Sequence, residues 1–482
     1  MRVHLRALLV RRAVGYCVAV LCCTAVWSGC AQRPVPRVTV PSSPVAFGVP
    51  TYQPGPGDVG RVEPPAFEEP TGTLSLRDAV ALALLHAPDL ASYAWEVRAR
   101  EARIVQAGRP QNPVVGLLAE DLGASRVPRA AVQQPIQPQV TVQLSQVVEL
   151  GGKRTARQAL AVLDRDLAAW DYETARVDVL TRLTRAFVDA LAAQDAQALA
   201  AQTLQIVEQT QRTVVARVAA GAASPIEQTR AEVSLASARV GRERAGRLVD
   251  ASRSRLAAFW GRSTARFSWL TGDLDVIPAL PSLAELQGRL AANPVVARWA
   301  VEVAQRRAVL AVEQARRVPD VSVSAGYRRF TDVDGNAVLV GATISLPVFN
   351  RNQGGIAEAD SRLAKAHEER RAAEMAVSSA LAEAYRALSS AYADITALRS
   401  QVLPGSRQAF EAVSEGYRLG RFGYLDVLEA QRTLMTAEEQ YLRALTDYHH
   451  AVADVEQLTG VPLTAVALTG AAPVTAVATS RE

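Results

Sequence analysis

Val321, Val323, Ala325 and Tyr327 alternate with Ser322, Ser324, Gly326 and Arg328. After a turn at Asp334-Gly335-Asn336 the same period resumes at Val338, Val340, Ala342, Ile344, Leu346 and Val348. A period of two with one apolar and one polar side predicts a strand hairpin over about 320–328 and 338–348. An earlier pair, about 113–121 and 139–149, is less clear: Val140, Val142 and Leu144 alternate with Thr141, Gln143 and Ser145, facing Pro113 to Asp121 across a Pro/Gln-rich loop. Elsewhere the period is helical. Thr155 to Ala220 reads as one helix of about 66 residues, roughly 100 Å long at 1.5 Å per residue. In the helix from Tyr424 to Leu458, Val427, Leu434, Tyr441, Tyr448 and Val455 recur every seven residues, with Ala430, Ala437, Ala444 and Ala451 three places later. That is a coiled-coil seam whose small residues admit a close neighbour. Leu428, Met435 and Leu442 add a second apolar edge, which predicts packing on two sides.

The pattern occurs twice. Leu76 through Pro88 matches Ser282 through Pro294 at an offset of 206, and Pro113 matches Pro319. Each half is expected to open with two helices, the second ending near Arg109 or Arg317, followed by a strand pair, a glycine pair (Gly151-Gly152, Gly354-Gly355) and a long helical hairpin. The hairpin tips are repeated too: Gly221, Ser224 and Glu227 align with Gly420, Gly423 and Asp426 at an offset of 199. Gly420 and Gly423 suit positive φ where one helix stops and another starts. The organisation read from these patterns is a first repeat over 74–280 with its tip near 221–227 and a second over 281–460 with its tip near 420–429. A patternless tail follows over 461–482.

Composition adds the address. The chain has 482 residues and only 5% aromatics, which fits long thin helices better than compact cores. Its net charge is +5, but Arg2, Arg6, Arg11 and Arg12 precede an apolar run in a segment free of acids, so removing 1–29 leaves one net positive charge. That balance argues against nucleic acid as a partner. The basic start, the short apolar run and Ser28-Gly29 make a signal peptide over 1–29. All four cysteines fall at 17, 22, 23 and 30, so cleavage before Cys30 leaves a single cysteine at the new N-terminus. This resembles a bacterial lipoprotein signal, which implies lipidation of Cys30; Trp27 stands where such signals usually carry Leu. Ala31 in place of Asp directs such a protein to the outer membrane. Ordinary cleavage nearby, with Cys30 idle, is the alternative. Residues 30–73 form a Pro-rich linker.

Four strands of about ten residues with one apolar face match a membrane barrel with a wet interior. A sheet in lipid must close on itself, and four strands cannot, since about eight is the practical minimum. Two copies give eight strands and a filled barrel; three give twelve and a lumen, so a conduit favours three. The doubled plan, the phrase Val148-Glu149-Leu150-Gly151-Gly152-Lys153-Arg154 and the tip phrase from Gly416 to Leu434 resemble the TolC-like outer-membrane efflux factors over about Leu74 to Gly460. With the ending Asp447-Tyr448-His449-His450 through Gly460, they look most like the CzcC-type members that serve heavy-metal RND pumps. The resemblance implies a mainly α protomer with a small transmembrane β portion. Its homotrimer would form a twelve-stranded barrel continued by an α-helical tunnel, docked on a periplasmic adaptor with an inner-membrane RND pump behind it.

Within that family Asp426 and Glu429 match the two tip aspartates that narrow the tunnel mouth, and three copies would set six carboxylates around one axis. The alternative for Asp426 is stabilisation of a helix N-terminus, and Glu227 sits in an apparent capping box after Ser224-Pro225. The family's gating arginine has no match: Phe422 stands there, with Arg421 one position off. Gly221, Gly420 and Gly423 are candidate adaptor contacts or simple turn formers. His449 and His450 point about 100° apart on a helix, which makes a poor metal site. No P-loop, HExxH, GxSxG or dinucleotide fingerprint is present, and neither an enzyme nor a cofactor is expected. A duct for drugs or secreted polypeptides, or a periplasmic coiled coil without a pore, are the rival functions.

Overall fold

The computed structural model describes residues 69–122, 138–330 and 335–460 together with Leu463. The signal segment, Cys30, the linker up to residue 68, Asp334 and the tail after residue 460 other than Leu463 lie outside the described residues. The end of the linker is not plain coil: Thr73 starts a short strand, β1 (Thr73–Ser75), paired parallel with β4 (Trp269–Thr271).

Each repeat opens on a capped helix. Ser75 accepts from the Asp78 N–H, and Asp78 returns the bond to the Ser75 N–H, starting α1 (Leu76–His86); α2 (Pro88–Ala107) follows with Pro88 in its first turn. In the second half Ser282 and Glu285 make the same box ahead of a much shorter α5 (Leu283–Gln287), and Asn293 caps α6 (Pro294–Ala315). The caps correct the alignment: Ser75 corresponds to Ser282 and Ala87 to Asn293, so the offset begins at 207 and becomes 206 within the helix. Leu286, fully buried, then stands where Ala79 does. The one-residue slip accompanies the break of the second copy into α5 and a 3-10 turn, Leu290–Ala292.

Strands β2 (Val114–Glu120), β3 (Gln139–Val148), β5 (Val321–Phe330) and β6 (Asn336–Ile344) form one antiparallel sheet in that order. The register joins the two halves at β3 and β5, running from Gln139 opposite Phe330 to Val148 opposite Val321. It places Val142 beside Tyr327 and Tyr327 beside Val338, so the alternating apolar residues share one face. That face is bare: Val340 is 84% and Leu117 74% exposed. The other face carries Thr141, Gln143, Ser145, Ser324 and Arg328, with Arg328 donating to the Thr141 hydroxyl at 3.0 Å. Strand β2 departs from strict alternation, because Val114 and Leu118 are apolar on the side where β3 presents Ser145 and Thr141.

Because neighbouring strands are antiparallel, all four strand-to-helix junctions lie at one end of the sheet. Helix α3 (Lys153–Ala219, 67 residues) leaves after Gly151 and Gly152, both left-handed with φ of 70° and 71°. A Cβ on Gly151 would lie 2.7 Å from the Val318 Cβ, so glycine is required there for space as well as for φ. The second glycine pair behaves differently. Gly354 and Gly355 lie inside α7 (Gln353–Ala397), and the left-handed residue is Asn352 at φ 59°, whose amide donates to the Glu313 carboxylate at 2.7 Å. Gly355 is needed for space, since a Cβ would come within 2.6 Å of the Asn352 Oδ1. After Ala397 the rod passes through a π turn, Leu398–Val402, into α8 (Leu403–Arg418). Pro404 has no N–H to offer the Ser400 carbonyl and its ring crowds it, which accounts for the widened turn.

The main core lies around the middle of α3. Leu183, Phe187 and Leu191 meet Leu76 and Val80 of α1, Leu381 and Leu388 of α7, and Tyr448 and Val455 of α9 (Tyr424–Thr459). The heptad seam of α9 is buried as expected at Val427, Leu434, Tyr448 and Val455. Gln194 closes the core with both ends of its amide: it donates to the Leu270 carbonyl at 3.2 Å and accepts from the Leu270 N–H at 2.9 Å, fully enclosed. Gln194→Ala leaves two buried backbone groups of β4 without partners, at about 1–3 kcal/mol each. A loss of about 2–4 kcal/mol is expected, measured as a lower denaturation midpoint beside the wild type; an unchanged midpoint contradicts it.

Candidate functional site at the helical tips

Helix α3 and its return α4 (Pro225–Ala257) meet at Gly221, and α8 and α9 meet at Gly420. Both turns solve the same problem, the unpaired carbonyls of a helix end. The Ala222 N–H reaches the Arg217 carbonyl and the Gly221 N–H the Val218 carbonyl; Arg421 and Gly420 repeat this on Gly416 and Tyr417. Such a Schellman turn requires a left-handed residue, which Gly221 (φ 71°) and Gly420 (φ 77°) supply. Gly423 does not: its φ is −85°, and it is the extended N-cap of α9. The sequence expectation of positive φ there is corrected, since only the first glycine of the pair makes the turn.

The acids separate into different roles. Asp426 accepts the Gly423 N–H at 2.8 Å and so caps α9, with its side chain still exposed. Glu429, one turn on, lines an open groove between α4 and α9 together with Leu425, Leu428, Arg230 and Arg432. Glu227 is not in the expected capping box: Ser224 accepts from the Ile226 N–H instead. The Glu227 carboxylate is used across the molecule, accepting the Tyr417 hydroxyl at 3.0 Å.

That bond belongs to a latch between the two tips. From α3, the Arg217 guanidinium donates to the Tyr417 carbonyl at 2.6 Å and to Ala222 at 3.2 Å, and it lies 4.6 Å from the centre of the Tyr417 ring. Tyr417 is thus held at its ring, carbonyl and hydroxyl by residues of the other repeat. Burial and the neighbouring Glu227 push its phenol up to about 12, so the hydroxyl stays protonated and keeps donating at any physiological pH. Below the latch Val214, Ala231, Tyr417, Tyr424 and Val427 form a second small core. Phe422 folds back over Gly416, where a Cβ would stand 2.2 Å from its ring. Around this core Leu419, Leu425 and Ile226 are each more than half exposed. No motif in the sequence marks Arg217 or Tyr417; their signal is a disagreement between repeats, since the 199 offset sets Arg217 against Gly416 and Val218 against Tyr417.

The paired histidines serve the core. His449 Nε2 meets the Leu274 carbonyl at 2.9 Å, and burial lowers the imidazole pKa, while His450 pairs with Asp189 at 3.0 Å. Among the described residues no group of three or more His, Cys, Asp or Glu is placed to hold a metal ion.

The family model for outer membrane efflux proteins matches residues 79–262 and 286–461. The cobalt-zinc-cadmium resistance protein CzcC of Cupriavidus metallidurans is 34% identical over 417 residues, which is 86% of this chain and 97% of that protein. The nickel-cobalt-cadmium resistance protein NccC of Alcaligenes xylosoxydans xylosoxydans is 30% identical over 62% of this chain and 66% of its own. Among solved structures CusC, described in terms of transmembrane channel formation, is similar with a TM-score of 0.68 at 15% identity, covering 89% of this chain and 99% of that one.

Proposed function

Because this chain belongs to the outer membrane efflux protein family, we propose that it is the exit duct of a tripartite efflux assembly and that heavy-metal cations are its cargo. The observation that carries the reading is the sheet. Among the described residues strands β2 and β6 have no neighbour on their outer edges, and one face is bare and apolar. In lipid those edges must be paired, and copies of the same chain can pair them. Three copies give twelve strands and a lumen walled by the polar face, with the helices continuing it into the periplasm as a coiled-coil tunnel. The second apolar edge of α9, at Leu428, Met435 and Leu442, lines the open groove beside α4 and is only half-buried by the protomer's own helices. Homotrimer packing accounts for that edge. Anchoring through acylated Cys30 would hold each chain to the outer membrane.

At the far end the tips form the seat for a periplasmic adaptor backed by an inner-membrane RND pump. Gly221 and Gly420 shape the contact, and Gly423 contributes as the N-cap beside them. The exposed Leu419, Leu425 and Ile226 give it apolar area. Asp426, Glu429 and Glu227 stand at the mouth as the periplasmic constriction, Glu227 acting through Tyr417. Cobalt, zinc, cadmium and nickel appear in the names of the two resistance proteins above, and they define the cargo class.

Purified full-length protein in planar bilayers tests the reading, with its native mass measured in parallel. A trimer that conducts ions is expected. A monomer that never conducts, even with the tip acids neutralised, defeats the duct and leaves a periplasmic coiled coil. Asp426→Asn with Glu429→Gln should move the reversal potential under a salt gradient towards that of a non-selective pore, because six carboxylates leave one axis. A deletion strain sensitive to drugs and indifferent to metals would reassign the cargo.

A further inference from the structure

The end of the sheet that meets the helices is strongly basic, and nothing in the proposed duct uses that charge. The four junctions, residues 109–113, 149–157, 313–320 and 349–353, hold seven arginines and lysines against three acids. All three acids are already taken: Glu149 by Arg157 at 2.7 Å, Asp320 by Lys153 at 2.7 Å, and Glu313 by Arg316 at 2.6 Å. Arg154, Arg317 and Arg351 remain exposed, and none of the three has a carboxylate partner among the described residues. The antiparallel register brings them to one level, since Val148 faces Val321 and Val321 faces Ile344. The opposite end of the sheet is balanced among the described residues, with Arg328 and Arg329 against Glu120 and Asp121.

Exposed apolar groups stand at the same end of the sheet. The bare face of β6 continues past its last strand residue through Leu346, 75% exposed, and Val348, and Phe349 next to it is 92% exposed. An aromatic ring at the edge of an apolar band, with guanidinium groups just beyond, is the arrangement of a membrane interface. A guanidinium fork matches phosphate oxygens.

We infer that Arg154, Arg317 and Arg351 form a belt that binds the phosphodiester headgroups of anionic phospholipid in the leaflet on the helical side, with Phe349 seated among the first methylenes. The inference rests on the barrel reading above. In a closed trimer the belt would carry nine such arginines, and it would fix the depth at which the strands give way to helices.

The test is reconstitution of the full chain into vesicles of phosphatidylcholine mixed with phosphatidylglycerol, followed by extraction and mass spectrometry of the lipid that stays bound. The wild type should retain phosphatidylglycerol enriched about tenfold over the bulk mixture, with the enrichment shrinking as salt is raised. Arg154→Gln, Arg317→Gln and Arg351→Gln combined should return the ratio to that of the bulk. The same three positions changed to lysine keep the charge and most of the enrichment, which separates lost binding from lost folding. Changing Arg362 and Arg371, exposed on α7 away from the sheet, to glutamine should leave it unaltered. Equal enrichment in the wild type and the triple glutamine variant overturns the belt. If the wild type inserts into neither this mixture nor phosphatidylcholine alone, the barrel reading fails, and the belt falls with it.

Discussion

In the proposed duct, Arg217→Ala is expected to shift the tips from mostly shut to mostly open. The guanidinium joins the first tip to the second through the Tyr417 carbonyl and holds its own turn through Ala222. Hydrogen bonds to a charged donor are worth about 1.5–3 kcal/mol each; the bond to Ala222 stays within its own tip, so the half-buried Arg217 contributes about 2–3 kcal/mol to the latch through the Tyr417 carbonyl. A change of that size shifts a two-state equilibrium by roughly fiftyfold. Open probability in planar bilayers should rise accordingly. Tyr417→Phe removes only the hydroxyl that reaches Glu227, so its effect should be nearer fivefold, about 1 kcal/mol. Because both residues serve one latch, the double variant should fall short of the product of the two effects. Unchanged conductance in an assembled Arg217→Ala oligomer would show that the tips are held by something else.

Gly151→Ala is expected to be the most damaging single-methyl change at the junction of sheet and helix. An L-residue at φ 70° costs about 1 kcal/mol, and the new Cβ would stand 2.7 Å from that of Val318, an overpacking worth about 1–3 kcal/mol more. Gly152→Ala is the matched control. Its φ is 71° and nothing lies within 4 Å of the added carbon, so only the backbone cost of about 1 kcal/mol applies. The thermal unfolding midpoint should therefore drop several degrees further for Gly151→Ala than for Gly152→Ala. Equal losses would show that Val318 yields freely.

Much of the fold could be read from local periods. Alternation at Val321–Tyr327 and at Val338–Ile344 marks β5 and β6, and the sevenfold recurrence from Val427 to Val455 marks the buried seam of α9. These patterns are legible because each is set by one element and one face. Conformation at single residues was harder to read. Gly354-Gly355 looks like Gly151-Gly152, yet the left-handed turn moves to Asn352, whose amide finds Glu313 on another helix. Glu227 carries a capping-box spacing, but the Tyr417 hydroxyl, 190 positions away in the chain, takes its carboxylate. The tip latch was illegible for the same reason: Arg217 and Tyr417 meet only once two repeats have packed. Their trace in the sequence is the place where the duplicated tips stop agreeing.

The π turn at Leu398–Val402 has a mechanical consequence. The first repeat sends out a single strut of 67 residues, whereas the corresponding member of the second is jointed. From the joint to Arg418 is a lever of roughly 30 Å at 1.5 Å per residue. A bend of about 5° there swings its tip by roughly 3 Å, as much as the whole length of a hydrogen bond. In the proposed assembly, force applied at the adaptor end would be absorbed by this jointed arm, with the unbroken arm serving as its fixed post.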